Sequence, residues 1–404
     1  MRSWLADRPR ARAAVTPAIW VAAVLLASLQ AWGGLHRPLV DRLSDLQVYL
    51  GSVDTFWHGG SLYDFAAAAT GAPFTYPPFA GLVLSPLAFV PFAVVAWAWS
   101  AATLLVVVAV AYAVMRHSEL RGGEGGGWRV AAVALVLFAS APISSNFRFG
   151  QISVFLVAAV LVDALRVVPE RYRGIATGLA GAIKLTPLIF VPYYWFSGQR
   201  RTAVTATVTF FVGTAVAWLV LPGESVRFWF TEIWNVNRVG NIATGGNQSL
   251  NGALLRWELP DSARTVIVAL VGSAVVVLAL IRAVRADRNG YPLAAVVIVG
   301  AAGLVFSPVS WTHHQVWLVL ALLLAVSTQA RTNLIWAAIV LAVMALPIIS
   351  VGTGLPTGFL TENARLWLAI AVAAVVPFVA VRRPEPAVEA PAEVAAAPAR
   401  TAEA

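Results

Sequence analysis

Cysteine is absent from this 404-residue chain, so it can build neither a disulfide framework nor a thiolate metal site, and it offers no redox clue to compartment. Charge is scarce too: 12% of residues are charged against 59% hydrophobic, with a mean hydropathy of +0.78. Soluble domains lie far from those values. Lysine is nearly missing, since Lys184 stands alone beside 27 arginines. The short loops contain no Gly-rich phosphate loop followed by Lys and Ser or Thr, which disfavours a nucleotide-driven pump. No convincing internal repeat is visible, which disfavours a secondary transporter or lipid-linked-sugar flippase.

What is present is apolar sequence in long runs. Stretches able to cross roughly 30 Å of hydrocarbon occur at 17–34, 92–115, 129–143, 151–166, 202–221, 264–284, 291–307, 314–328, 332–350 and 364–381. Lys184 and Pro187 break the stretch 172–197, which reads as a hairpin of two short helices. The expectation is an all-α polytopic membrane protein with about 12 transmembrane helices, in the range of about 11–13. Arginines of the short loops place both termini in the cytoplasm. The net charge of +9 then reflects anchoring to anionic lipid and requires no nucleic acid. Residues 1–383 read as one transmembrane domain in the plasma membrane, and the Pro, Ala and Glu of 384–404 as a disordered cytoplasmic tail.

On this topology the long segments 35–91 and 222–263 are the first and second large extracytoplasmic loops, 144–150, 308–313 and 351–363 are shorter outer turns, and the unusual polar residues gather in or beside these segments. From Leu43 to Leu62 the apolar residues recur at loosely helical spacing, fitting an amphipathic helix on the outer leaflet that Gly59-Gly60 would end. Asp45 sits at its start, where periodicity alone favours a helix cap over a base at the bilayer surface. Tyr76-Pro77-Pro78 fixes an extended turn, and 79–91 reads as a short apolar element at the interface. In 245–256, the amides of Asn247, Gln248 and Asn251 with Arg256 suit sugar hydroxyls and phosphate oxygens, or else a solvated loop capping the next helix. His313 and His314, adjacent on a helix, point about 100° apart and do not suit one metal ion. Phosphate binding, acid-base work or a helix-start cap fits them better. A lysine inside a broken apolar stretch is costly unless it faces water or an anion, so Lys184 is a candidate anion ligand.

Taken in order, Asp45-Leu46-Gln47-Val48-Tyr49, Gly60-Ser61-Leu62-Tyr63, Thr75-Tyr76-Pro77-Pro78-Phe79, Gly150-Gln151, Ile183-Lys184-Leu185-Thr186-Pro187, Gly246-Asn247-Gln248-Ser249 and Trp311-Thr312-His313-His314 resemble glycosyltransferase family 87. These are polyprenyl-phosphate-mannose-dependent α-(1→2)-mannosyltransferases of actinobacteria, with the GT-C membrane fold. The similarity runs from about residue 17 to 381. It implies inverting transfer of mannose from a polyprenyl-phosphate donor to a phosphatidylinositol mannoside or lipomannan type of acceptor, outside the membrane. It further implies that Asp45 is the catalytic base; if Asp45→Asn kept near-normal turnover, Asp54 would be the next carboxylate to test. His313, His314, Lys184 and Arg256 are then candidates for the donor phosphate. Tyr49, Tyr76, Gln151, Asn247 and Gln248 are candidates for sugar or acceptor contact. No cofactor and no metal are expected. A different polyprenyl-phosphate sugar is the alternative that the sequence opposes least.

Overall fold

The computed structural model describes residues 9–68, 70–118, 127–351 and 358–379. The tail 384–404 lies outside the described residues, as does much of the expected outer turn 351–363. Among the described residues the chain is helical throughout, with one isolated antiparallel bridge between Ala66 and Pro73.

Among the described residues, four helices are long and apolar enough to cross a membrane: Val15–Leu35, Phe92–His117, Arg200–Val220 and Asp261–Arg288. The pair Gly127–Ala139 and Ala141–Phe149, bent by 63°, makes a fifth if it counts as one span. Much of their apolar surface stays uncovered. Leu25, Leu29, Leu105, Phe211, Leu219 and Leu270 are all more than half exposed, as expected of faces that meet lipid. Shorter apolar helices fill in between, including Ser153–Ala164, Pro292–Phe306 and Ala330–Ala345. At 1.5 Å per residue, a helix of this kind covers only about 18–24 Å and cannot cross the hydrocarbon unaided.

Two stretches depart from the sequence expectation. Of residues 144–150, expected as a turn, all but Gly150 belong to the helix Ala141–Phe149. Extended Ser140 (φ −82°, ψ 146°) breaks the preceding helix, and Pro142 restarts it within the first turn. The run 314–328, expected as one span, is helical only over Val316–Leu320, continues as a 3-10 turn over Ala321–Leu323 and becomes extended at Leu324. Two side chains account for that early exit. The Trp336 indole takes the Ala321 carbonyl at 2.9 Å, and Asn333 Oδ1 accepts the N–H groups of Val326 and Ser327 at 2.9 and 3.0 Å. Residues 172–197 do form two short helices, Ile175–Ile183 and Phe190–Phe196, with Lys184 at the break and Pro187 in the 3-10 turn between them.

The core is divided. The larger cluster surrounds Pro292–Phe306, which is buried on nearly every face. A smaller one holds the first loop together: Leu43 and, from the helix Ser44–Trp57, Leu46, Tyr49 and Val53 pack with Tyr63, Phe74, Leu84 and Phe228. The half-helix ahead of Lys184 is drawn tightly against Arg200–Val220. A Cβ on Gly178 would stand 2.5 Å from the Ala206 carbonyl oxygen, so only glycine permits this approach.

Candidate active site

The start of the helix Ser44–Trp57 is set by Leu43, a non-glycine residue held in the left-handed region (φ 46°) with its side chain buried. Asp45 lies inside the first turn, and Leu43, not Asp45, occupies the N-cap position, where no side chain caps the helix. The Asp45 carboxylate is therefore free of the capping role. It instead accepts a hydrogen bond from Gln151 Nε2.

Gly150 makes that contact geometrically possible. It ends the helix Ala141–Phe149 at φ 65°, and a Cβ there would meet Leu46 Cβ at 2.8 Å and Leu43 Cβ at 3.0 Å. Conformation and contact both demand glycine. Gln151 is buried, and its Oε1 accepts the Tyr49 hydroxyl at 3.1 Å and the Ser153 hydroxyl at 3.2 Å. Tyr49 and Tyr76 share a 2.9 Å hydrogen bond between hydroxyls, their rings perpendicular.

Lys184 reaches the same place from the helix break. Its Nζ lies 2.8 Å from His314 Nε2 and 5.0 Å from the centre of the Tyr76 ring. His313 is buried beside His314; its Nδ1 is 3.4 Å from the Ser145 hydroxyl, and its Nε2 has no hydrogen-bond partner. A buried ring nitrogen with no protein partner is able to bond to an incoming group.

Asp45, Tyr49, Tyr76, Gln151, Lys184, His313 and His314 all line one cavity of about 630 Å³, a size that admits a sugar and its phosphate. Burial among these walls raises the Asp45 carboxyl from 3.8 to about 6, against the opposing influence of the Gln151 hydrogen bond and then of Lys184. A carboxylate of that basicity can take a proton near neutral pH. The cationic and N–H-bearing side chains on the opposite lining can receive an anion. Among the described residues, no group of three or more His, Asp or Glu stands together in the manner of a metal site.

The structure keeps three other candidates away from this cavity. Asn247 is fully buried: its Nδ2 donates to the Ile242 carbonyl at 2.9 Å, and its Oδ1 accepts Ser310 N–H at 2.9 Å and Ser249 N–H at 3.2 Å. Gln248 donates to the carbonyls of Gly245 and Glu362 at 2.7 and 2.6 Å and accepts the N–H groups of Arg365 and Leu366, both at 3.1 Å. Arg256 donates to the Thr244 and Asn247 carbonyls at 2.8 and 2.9 Å and to Asn363 Oδ1. Asp54 faces outward, 3.4 Å from His58.

Another part of the second long loop does reach the cavity. Phe228, Glu232, Ile233, Asn235 and Arg238 form one wall. Glu232 is held between Arg227 at 2.8 Å and Arg238 at 2.7 Å, and Arg238 also donates to the Tyr63 carbonyl, which ties this wall to the first loop. Sequence reasoning missed it. The available signal was the charged series Arg227, Glu232 and Arg238 in an otherwise aromatic stretch of an outer loop.

The sequence profile of Glycosyltransferase family 87 matches residues 74–308. A polyprenol-phosphate-mannose-dependent α-(1-2)-phosphatidylinositol pentamannoside mannosyltransferase of Mycolicibacterium smegmatis is 37% identical over 284 residues, covering 68% of this chain and 67% of that relative. The same organism's polyprenol-phosphate-mannose-dependent α-(1-2)-phosphatidylinositol mannoside mannosyltransferase is 36% identical over 325 residues, or 74% of this chain and 72% of that one. The pentamannoside enzyme of Mycobacterium tuberculosis is 35% identical over 350 residues, 81% and 78% of the two chains. No solved structure matches the chain.

Proposed function

This chain belongs to glycosyltransferase family 87, and from that premise we propose that it moves mannose from polyprenyl-phosphate-mannose to a mannose-bearing lipid acceptor, inverting the donor's configuration to leave an α-(1→2) bond. The related enzymes carry this donor in their names, together with phosphatidylinositol mannoside acceptors.

Chemistry distributes the roles. Asp45 takes the proton of the acceptor hydroxyl as its oxygen attacks the sugar's anomeric carbon from the face opposite the phosphate. The bond from carbon to phosphate oxygen breaks with its electron pair on the phosphate. That group is a weak base and leaves without an acid; what it needs is positive charge and N–H donors, which Lys184, His313 and His314 supply. Gln151 fixes the carboxylate, while Tyr49 and Tyr76 present hydroxyls and ring faces to the sugars. The observation that carries this reading is the single cavity shared by Asp45, Lys184 and both histidines, which the chain delivers from three separate segments.

In this reading the fold is of the GT-C type, with about 12 spans, cytoplasmic termini, residues 1–383 as one catalytic domain and the site on the extracytoplasmic side of the cell membrane. Support for that side comes from the arginine-rich short loops at the opposite end. The test is transfer by the purified chain from polyprenyl-phosphate-mannose to a mannosylated phosphatidylinositol. Formation of an α-(1→2) product is the expected result, and failure to transfer from any polyprenyl-phosphate sugar would sink the proposal.

A further inference from the structure

Arginines on the outer side of a membrane run against the positive-inside bias and need a reason. On the topology proposed above, Arg37 and Arg42 of the first loop and Arg148 at the end of the helix Ala141–Phe149 all lie there. The fold brings them to one place. Arg37 Nε donates to Asp41 Oδ2 at 2.6 Å, and Arg148 Nη2 comes within 3.7 Å of the same oxygen. Arg42 donates through Nε and Nη2 to the Arg37 carbonyl, both at 3.2 Å. Gln47, which the chemistry leaves unused, fixes the turn by donating to the Leu39 carbonyl at 2.7 Å and to the Arg42 carbonyl.

Three guanidiniums thus stand around one carboxylate, and among the described residues no second acid pairs with them. Arg148 lies over the Phe149 ring, 5.0 Å from its centre, and donates no hydrogen bond within the described residues. The side chains of Arg37 and Arg148 are 32% and 42% exposed, so their remaining N–H groups are accessible. Positive charge in excess, carried on planar N–H forks, suits phosphate oxygens.

Position identifies the kind of phosphate. Arg37 comes just after the end of the span Val15–Leu35, and Leu39 and Val40, 68% and 56% exposed, sit between Arg37 and Arg42. Cations and apolar side chains share one rim, which is what a phospholipid presents at the level of its headgroup. The other border of this rim is the cavity: Ser44 and Asp45 follow Arg42, Phe149 follows Arg148, and all three line it. Arg42 stands three residues before Asp45, at most about 11 Å along the chain.

Given the transfer reading above, on which this rests, we propose that Arg37, Arg42 and Arg148 bind the phosphodiester of a phospholipid, and that this phospholipid is the mannose-bearing acceptor. Its headgroup phosphate is held at the rim while its terminal sugar reaches Asp45. The acceptor then has an anion site of its own, apart from the donor phosphate at Lys184, and Asp41 keeps the guanidiniums gathered between binding events.

The experiment uses the full chain in neutral detergent. Transfer is followed at saturating donor to two acceptors, a mannosylated phosphatidylinositol and uncharged octyl α-mannoside, and binding is followed separately with phosphatidylinositol carrying a fluorophore on its acyl chain. Arg148→Gln should raise KM for the mannosylated phosphatidylinositol by about tenfold, with kcat within about twofold, and should weaken binding of the labelled lipid in parallel. KM for octyl α-mannoside should stay unchanged. Arg148→Lys should recover part of the loss, and the difference between wild type and Arg148→Gln should shrink at about 0.5 M salt, which a packing defect would not do. Arg37→Gln, on another element, should act in the same direction and serves as the second variant if Arg148→Gln fails to fold. An unchanged KM for the charged acceptor, or an equal rise for both acceptors, overturns the proposal. So does an effect on octyl α-mannoside that appears only when phosphatidylglycerol is added, because the rim would then serve ordinary anionic lipid. If wild type transfers nothing yet binds the labelled lipid more tightly than Arg148→Gln does, the phosphodiester site stands and the transfer reading falls; equal binding by the two overturns the site.

Discussion

In residues 44–76 the polar side chains Asp45, Tyr49 and Tyr76 open on the cavity, whereas in residues 246–256 Asn247, Gln248 and Arg256 turn onto backbone carbonyls and N–H groups. Both segments combine glycine with polar residues, and both belong to motifs that resemble the family. The difference lies in hydrogen-bond saturation. Every donor and acceptor on the Gln248 amide that the fold can reach is already used, and a satisfied amide has little to offer a sugar. Asp45 has one protein donor, and His313 Nε2 has none. Chemistry is left available in the first segment and consumed as structure in the second.

Variants can break that comparison. The largest effect should come from Asp45→Asn, which removes the base and keeps the shape: transfer should fall by about 100- to 10,000-fold, the usual worth of a positioned base. Next is Gly150→Ala. Its Cβ has no room against Leu43 and Leu46, and the displaced turn carries Gln151 away from Asp45; turnover should drop by roughly 10- to 100-fold, since small misplacements near reacting groups are expensive. Donor binding, which uses other elements, should change much less.

The pH profile sharpens the contrast. With the Asp45 carboxyl raised to about 6, kcat/KM should fall tenfold per unit below that pH, as protonated base accumulates in the free enzyme. Gln151→Leu removes a hydrogen bond that holds the carboxyl down, so this limb should move to higher pH. For stability the sign is reversed. A carboxyl whose folded value lies above its ordinary one binds protons more tightly when folded, so its charge opposes folding above about 6, and that penalty is relieved as pH falls toward 4.

The second segment should respond in stability rather than chemistry. Asn247→Ala strands two buried N–H groups and a carbonyl, at a cost of about 1–3 kcal/mol for each group left unsatisfied. A lowered Tm in detergent should appear, while turnover per folded molecule stays within about threefold of wild type. Arg256→Lys should produce the smallest change, a slight fall in Tm with the donor KM unaltered.

Some of this was legible in the sequence. Lys184 stood out because a lone lysine in a broken apolar stretch has few reasons to exist other than an anion or water. Asp45 did not stand out from periodicity, which fits a cap as well as a base; the cap position turned out to belong to Leu43. The run 314–328 read as a span because hydropathy cannot see that Asn333 and Trp336, many residues later, claim its backbone groups. Asn247, Gln248 and Arg256 looked like ligand contacts because sequence shows which donors exist and not which are spent. The wall at Glu232 and Arg238 was hidden for the converse reason: its charges neutralise one another across the loop, and only the fold brings them to the cavity.

The most direct measurement is a single-turnover comparison of Asp45→Asn and Asn247→Ala with wild type, at saturating polyprenyl-phosphate-mannose and mannosylated lipid acceptor, normalised to folded protein. The account predicts that Asp45→Asn retains less than about one hundredth of the wild-type rate, while Asn247→Ala keeps at least roughly a third. Near-normal turnover by Asp45→Asn, or a collapse of chemistry in well-folded Asn247→Ala, would contradict it.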